Sequence, residues 1–163
     1  MSVRELTAKE KRNIELVKDW AKIWDADGGR MVDECYAASA EVFGPLQNIY
    51  FLRKGESKVT WRALEAAIHA LYQSRKMHFH TLVAEGNTVA MEVIVEETNL
   101  KGRKREVWFS AFLTFDDDGK IVKDHTYQLN MEKTPDPEKA KDPKIKEAME
   151  TLREIHSRIL AQQ

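Results

Sequence analysis

The sequence predicts an α+β fold, a bent antiparallel sheet with helices laid against its concave face. Three observations carry that prediction. The first third of the chain has helical apolar spacing. From Met77 to Asn130 four strands follow one another directly. They are joined by the short polar turns Glu85-Gly86-Asn87, Leu100-Lys101-Gly102 and Asp117-Asp118-Gly119. Consecutive hairpins of this kind give an antiparallel meander, and helices that precede it in sequence cover one face only.

Each element has its own signal. Thr7-Ala8-Lys9-Glu10 is a capping box, in which a hydroxyl and a carboxylate satisfy amide donors at a helix start. Ile14, Val17, Ala21 and Trp24 then recur at helical spacing, broadened by Leu16, Trp20 and Ile23, until Gly28-Gly29. A short helix is expected over residues 30–36, and a short strand at Glu41-Val42-Phe43, stopped by Gly44-Pro45. Residues 48–52 read as a further strand or a rim loop. A third helix is expected over 59–74, with Leu64, Ile68, Leu71 and Tyr72 on its apolar face and His69 at the boundary. After the sheet, Thr134-Pro135-Asp136-Pro137 is a linker, since proline leaves both helix and sheet incomplete. Asp142-Pro143 opens a last helix striped by Ile145, Met149, Leu152, Ile155 and Ile159. The expected organisation is one domain over residues 1–133, then a linker and C-terminal helix over 134–163, docked on the domain or on a partner subunit.

Totals narrow the function classes. The 163 residues are 42% hydrophobic and 33% charged, with formal net charge -1. This is the balance of a soluble globular chain and gives no reason to expect a nucleic-acid partner. The basic run Lys101-Gly102-Arg103-Lys104-Arg105 reads as a solvated hairpin tip. No apolar stretch reaches the length of a membrane span. One cysteine, Cys35, excludes an internal disulfide and suits a reducing compartment; in its apolar helical setting it reads as a small hydrophobe. With no apolar signal core after Met1, a cytoplasmic location is expected.

Side chains alternate faces along a strand, so turn length fixes which residues share a face. Val89, Met91, Val93 and Val95 pair with Val107, Phe109, Ala111 and Leu113 across the Gly102 turn. A two-residue turn at Gly86-Asn87 places His78, His80 and Leu82 on the same face. A three-residue turn at Asp117-Asp118-Gly119 adds His125, Tyr127 and Leu129. The expected pocket lining is then Trp20, Trp24, His78, Met91, Val93, Val95, Phe109, Ala111 and Leu129. His80, His125 and Tyr127 are the expected acid-base groups, because imidazole titrates near neutral pH and a phenol can steady developing negative charge. The other register of the last strand turns Asp124, Thr126 and Gln128 inward instead and makes Asp124 the candidate. A metal on His78, His80 and His125 is a third reading, without a carboxylate or thiolate to complete it, and no metal or cofactor is expected. Glu92, Glu96 and Glu97 read as solvated. Phe79, Ile94, Trp108 and Phe112 on the uncovered face suggest a homodimer.

Three segments carry a family resemblance. They are Val42-Phe43-Gly44-Pro45, Val83-Ala84-Glu85-Gly86-Asn87-Thr88-Val89 and Phe115-Asp116-Asp117-Asp118-Gly119-Lys120-Ile121-Val122, the last followed by Tyr127. With the order of elements, they resemble the cone-shaped nuclear transport factor 2-like superfamily, and within it the SnoaL-type polyketide cyclase and ketosteroid isomerase-like group. The resemblance implies a cone-shaped α+β domain over about residues 10–130. It transfers no intact catalytic set. Where ketosteroid isomerases carry carboxylates, this chain has Gly44 and Ala111. Where limonene epoxide hydrolases carry Arg and Asp, it has Val93 and Val95. Where the last strand should hold an Asp, Thr126 stands, with Asp124 close by.

The resemblance implies a cofactor-free acid-base enzyme, an isomerase, cyclase or dehydratase, acting on a small apolar carbonyl-bearing or polycyclic molecule. The alternatives are a module of the same fold that binds a hydrophobic ligand without turning it over, and a protein-interaction domain using the aromatic open face.

Overall fold

The structure is a computed structural model that describes residues 4–43 and 58–129, together with Pro143. Two units divide the chain, 1–129 and 130–163, and every element below belongs to the first. The expected rim segment at 48–52, the Gly44-Pro45 stop, the linker and the C-terminal apolar stripe lie outside the described residues.

Helix α1 spans Ala8–Ala26 and starts at the capping box. Thr7 Oγ1 accepts from Glu10 N at 3.2 Å, while Glu10 Oε2 accepts from Thr7 N at 2.8 Å. Glu10 also does long-range work. Its Oε1 accepts from Gly86 N at 2.9 Å, and Arg4 pairs with the same carboxylate. These backbone donors, Thr7 first, hold its pKa down at about 2. Arg12 donates to the Asp117 and Asp116 carbonyls at 2.9 and 3.2 Å. The first turns of α1 are therefore tied to the tips of two hairpins.

Asp27 ends α1 and caps α2, Gly28–Cys35, accepting from Arg30 N at 2.9 Å. Gly28 and Gly29 do not stop α1; they open α2 and let it press on α3, Lys58–His69. A Cβ at Gly28 would lie 3.0 Å from the Glu65 carbonyl oxygen. Strand β1, Tyr36–Phe43, starts well before the expected Glu41. Helix α3 stops at His69, not at residue 74. Leu71 is 60% exposed, and Tyr72 already belongs to β2, Tyr72–Glu85. Then come β3, Thr88–Asn99; β4, Lys104–Phe115; and β5, Ile121–Leu129.

The sheet is curved and unclosed, ordered β1-β5-β4-β3-β2. The four long strands pair antiparallel in sequence order, and β1 joins the edge parallel to β5. All three hairpins close at the expected turns. Gly102 and Gly119, at φ 75 and 80, supply the left-handed residue those turns need. The covered face of the sheet carries Val89, Met91, Val93, Val95, Ala111 and Leu113. They pack on Val17, Trp20, Ala21 and Trp24 of α1 and on Met31 and Val32 of α2.

Two β-bulges set which side chains meet that core. In β2, Thr81 pairs with Glu92 and Phe79 with Val93, leaving His80 extra. In β5, Ile121 pairs with Phe115 and Lys123 with Thr114, leaving Val122 extra. A bulge sets two residues against one, so alternation slips by one beyond it. Among the described residues no helix is long and apolar enough to cross a membrane.

Candidate active site

The bulges overturn the expected histidine constellation. Beyond the His80 bulge, His78 lies opposite Ile94 on the open face, with Nε2 3.5 Å from Glu96. His80 itself is exposed and bonds Glu92 at 3.0 Å through Nδ1. Beyond the Val122 bulge, His125 sits opposite Phe112 and Tyr127 opposite Ser110, again on the open face. His125 Nε2 lies 3.0 Å from Glu41 Oε1, and Tyr127 is 50% exposed. Each histidine is thus tied to its own glutamate. Among the described residues no group of three or more His, Cys, Asp or Glu side chains is arranged to hold a metal ion. Leu129 takes the register position opposite Trp108, a residue of the open face, rather than opposite Phe109. Of the other expected lining residues, Trp20, Trp24, Met91, Val93, Val95 and Ala111 are buried, and Phe109 packs at the margin of the core.

The same slip brings Asp124 inward, opposite Leu113, where it is 3% exposed. The reserve register of the last strand is the one the protein adopts, although its turn has the three residues that argued against it. Asp124 Oδ2 accepts from the Tyr36 hydroxyl at 2.5 Å, and Oδ1 from Thr126 Oγ1 at 2.8 Å. Burial raises the Asp124 carboxyl above the usual carboxylate range, and the bonds from Tyr36 and Thr126 restrain the rise. Tyr36, fully buried at the first position of β1, is driven well above the ordinary phenol value, by burial first and then by Asp124. Two tryptophans flank it. The Trp61 ring meets the Tyr36 ring edge-on at 6.3 Å. Trp20 acts in the opposite sense to burial, favouring the charged phenolate slightly. Among the described residues neither indole N–H finds an acceptor.

A second buried carboxyl stands in the same interior. Glu65, on α3, accepts from Trp24 Nε1 at 3.1 Å. Burial pushes its pKa up to about 7; Arg75 and the Trp24 bond oppose that rise, and the Asp124 charge adds to it. Arg75 lies over the Trp24 ring at 4.0 Å and pairs with Glu97 at 2.9 Å. Glu97 is 3% exposed and is not the solvated residue the sequence suggests. Cys35 is half-buried, and burial lifts its thiol to about 11, far from a reactive thiolate.

Tyr36, Glu65 and Arg75 were missed as site residues. Glu65 had a legible signal: it stands four residues from Trp61 and one from Leu64, a carboxylate on an apolar helical stripe. Arg75 alternates with Met77 and Phe79 on β2, but the apolar spacing of α3 runs on through Leu71 and Tyr72 and masks where that alternation begins. Tyr36 has no comparable cue, since the alanine-rich start of β1 lacks the β-branched residue that marks Glu41-Val42-Phe43.

The sequence profile of the SnoaL-like domain matches residues 17–123. No curated protein matches the sequence significantly. Solved structures do match in fold. One is a candidate SnoaL-like polyketide cyclase from Jannaschia sp. CCS1, at 13% identity and TM-score 0.63, covering 77% of this chain and 91% of that one. Another is a protein with a ketosteroid isomerase-like fold from Catenulispora acidiphila DSM 44928, at 15% and 0.57, covering 69% and 84%. A third is an LEH-like epoxide hydrolase from M. tuberculosis, at 13% and 0.59, covering 74% and 85%.

Proposed function

Because the chain belongs to the SnoaL-like domain family, we propose that it is a cofactor-free acid-base enzyme whose proton-transfer group is Asp124. The substrate class is a small apolar carbonyl-bearing or polycyclic molecule, and the reaction an isomerisation, cyclisation or dehydration. One observation carries this reading: a buried carboxyl, bonded by Tyr36 and Thr126, in an interior that also holds Glu65 and is elsewhere lined mainly by apolar and indole side chains. A carboxyl shifted upward by burial holds a proton more strongly than an ordinary aspartate and is the better base for it. In the proposed step the Asp124 carboxylate removes a proton from the carbon next to a carbonyl. The C–H electron pair becomes a carbon–carbon double bond, and the carbonyl π pair moves onto the oxygen, giving an enolate. The unpartnered N–H groups of Trp20 and Trp61 are suitable donors to that oxygen. Return of the proton at another carbon completes an isomerisation; attack of the enolate carbon on a second carbonyl closes a ring, and the proton on Asp124 passes to the alkoxide so formed.

The test needs no named substrate. Cyclic enones and 1,3-diketones are incubated with the full chain in heavy water, and deuterium uptake beside the carbonyl is followed by mass spectrometry. Wild type should exchange at least some of them above the buffer rate, and Asp124→Asn should lower that rate about 100- to 10,000-fold. Equal exchange by Asp124→Asn, or none by wild type, would remove the proposal and favour a ligand-binding module.

The open face supports a homodimer as the assembly. Phe43, Phe112 and Tyr127 are 42, 45 and 50% exposed. Phe43 and Phe112 each meet the Tyr127 ring, at 5.7 and 6.3 Å, and the His80 ring lies tilted against Trp108 at 6.1 Å. Exposed aromatic area of this kind is characteristic of a subunit surface.

A further inference from the structure

At the end of the interior where β2 meets the β3–β4 hairpin, two guanidinium groups share one buried carboxylate. Arg75 Nη2 and Arg105 Nε lie 2.9 and 2.7 Å from the two oxygens of Glu97. That cluster keeps one uncompensated positive charge. Arg75 is the buried member, its side chain 9% exposed, and among the described residues its Nη1 finds no acceptor. A buried charged donor left unpaired is costly, so it calls for an oxygen partner. Tyr72 lies between the two cations: Arg75 and Arg105 sit 5.0 and 5.7 Å from its ring centre, and Arg105 donates to its hydroxyl at 2.7 Å. Tyr72 also lines an open groove of about 400 Å³ with Leu71, Asn99, Arg103, Lys104 and Arg105. Three cations and no carboxylate line that groove. A neighbouring groove of about 530 Å³ is mixed, with Glu96, Glu97 and Glu106 beside Lys76, Lys104 and Arg105. The other carboxyl that feels the Arg75 charge, Glu65, is held largely in its neutral form by burial and accepts from Trp24 Nε1.

We propose that Arg75, with the cationic groove beside Tyr72, is a recognition subsite for a carboxylate on a small-molecule ligand. The ligand is therefore two-ended. Its anionic end meets the unpaired Nη1 of Arg75, and a flat apolar body lies against Tyr72 in the groove. Arg103 and Lys104 raise the local anion concentration and steer the charged end inward. This rests on reading the interior as a ligand site, but not on any reaction occurring there.

The probe is 2-naphthoate against its methyl ester, which keeps the body and removes the charge. Titrations of the full chain are followed by tryptophan fluorescence, since Trp24 lies under Arg75. Wild type should bind the carboxylate roughly tenfold or more tighter than the ester, the usual worth of a charge-assisted bond. Arg75→Lys should erase most of that preference, because a point charge cannot pair with Glu97 and a ligand in the same fork. Arginine-selective NMR of the unaltered protein covers the case in which that variant fails to fold: the Arg75 Nε–H signal should shift with 2-naphthoate and stay with the ester. Asp124→Asn should keep the preference, so loss of proton transfer and loss of anion recognition are told apart. No preference in wild type, an unmoved Arg75 signal, or a preference abolished only by Arg103→Gln with Lys104→Gln would each overturn the assignment.

Discussion

Replacing Glu65 with Gln should remove a pH dependence whose size can be worked out. The glutamine keeps an oxygen for Trp24 Nε1, now 3.1 Å from Glu65, and does not titrate. In the folded protein burial raises Glu65 from 4.5 to about 7. The folded state therefore holds a proton that the unfolded chain releases above pH 4.5. That stabilisation is complete below 4.5 and is lost as pH rises through about 7. Each tenfold change in proton affinity is about 1.4 kcal/mol, so the total is about 3 kcal/mol. Wild type loses it; the glutamine variant has nothing to lose. Urea unfolding of both proteins, followed by tryptophan fluorescence from about pH 4.5 to about pH 8, should show the variant gaining about 3 kcal/mol on wild type. Asp124 is raised in both proteins and largely cancels in the difference. A difference that stays flat, or falls, with pH would refute the claim that Glu65 is buried and mostly protonated below neutrality.

Other expected outcomes follow from the same packing. Gly28→Ala should destabilise by about 1–3 kcal/mol despite the better helix propensity of alanine, because its Cβ would sit 3.0 Å from a backbone oxygen and force α2 and α3 apart by a few tenths of an ångström; a thermal melt decides it. Glu10→Gln should flatten the acid limb of stability, since Glu10, held at about 2, contributes above 4.5 and loses that contribution as pH falls toward 2; unfolding at graded acid pH measures the change. Trp108→Glu should yield monomers from a dimeric wild type by light scattering, because an unpaired charge does not tolerate burial in an interface; an unchanged oligomeric state would remove the open face as the interface.

The sheet was readable because its turns carry glycine at left-handed positions and its central strands alternate cleanly. The β3–β4 pairing, Val95 with Val107 and Met91 with Ala111, follows from the Gly102 turn alone. The site was misread for one physical reason, twice over. His80 and Val122 are bulged residues without a glycine or proline to announce them, and each flips the strand beyond it. Turn length fixes parity only as far as the first bulge. The end of α3 was blurred because Leu71 and Tyr72 continue its apolar spacing while the backbone is already turning into β2. The buried ion pair of Glu97 was illegible because its partners, Arg75 and Arg105, come from strands whose pairing had first to be known.

The central claim is that Asp124 is an inward carboxyl shifted upward by burial and restrained by Tyr36. Carbon-13 NMR of aspartate carboxyl groups across pH tests it directly, with Asp124→Asn identifying the signal. Asp124 should titrate above the usual carboxylate range in wild type. It should move higher still in Tyr36→Phe, because the lost hydroxyl bond favoured the charged form. An Asp124 signal that titrates like a solvated aspartate, or that moves down when the hydroxyl is removed, would contradict the account.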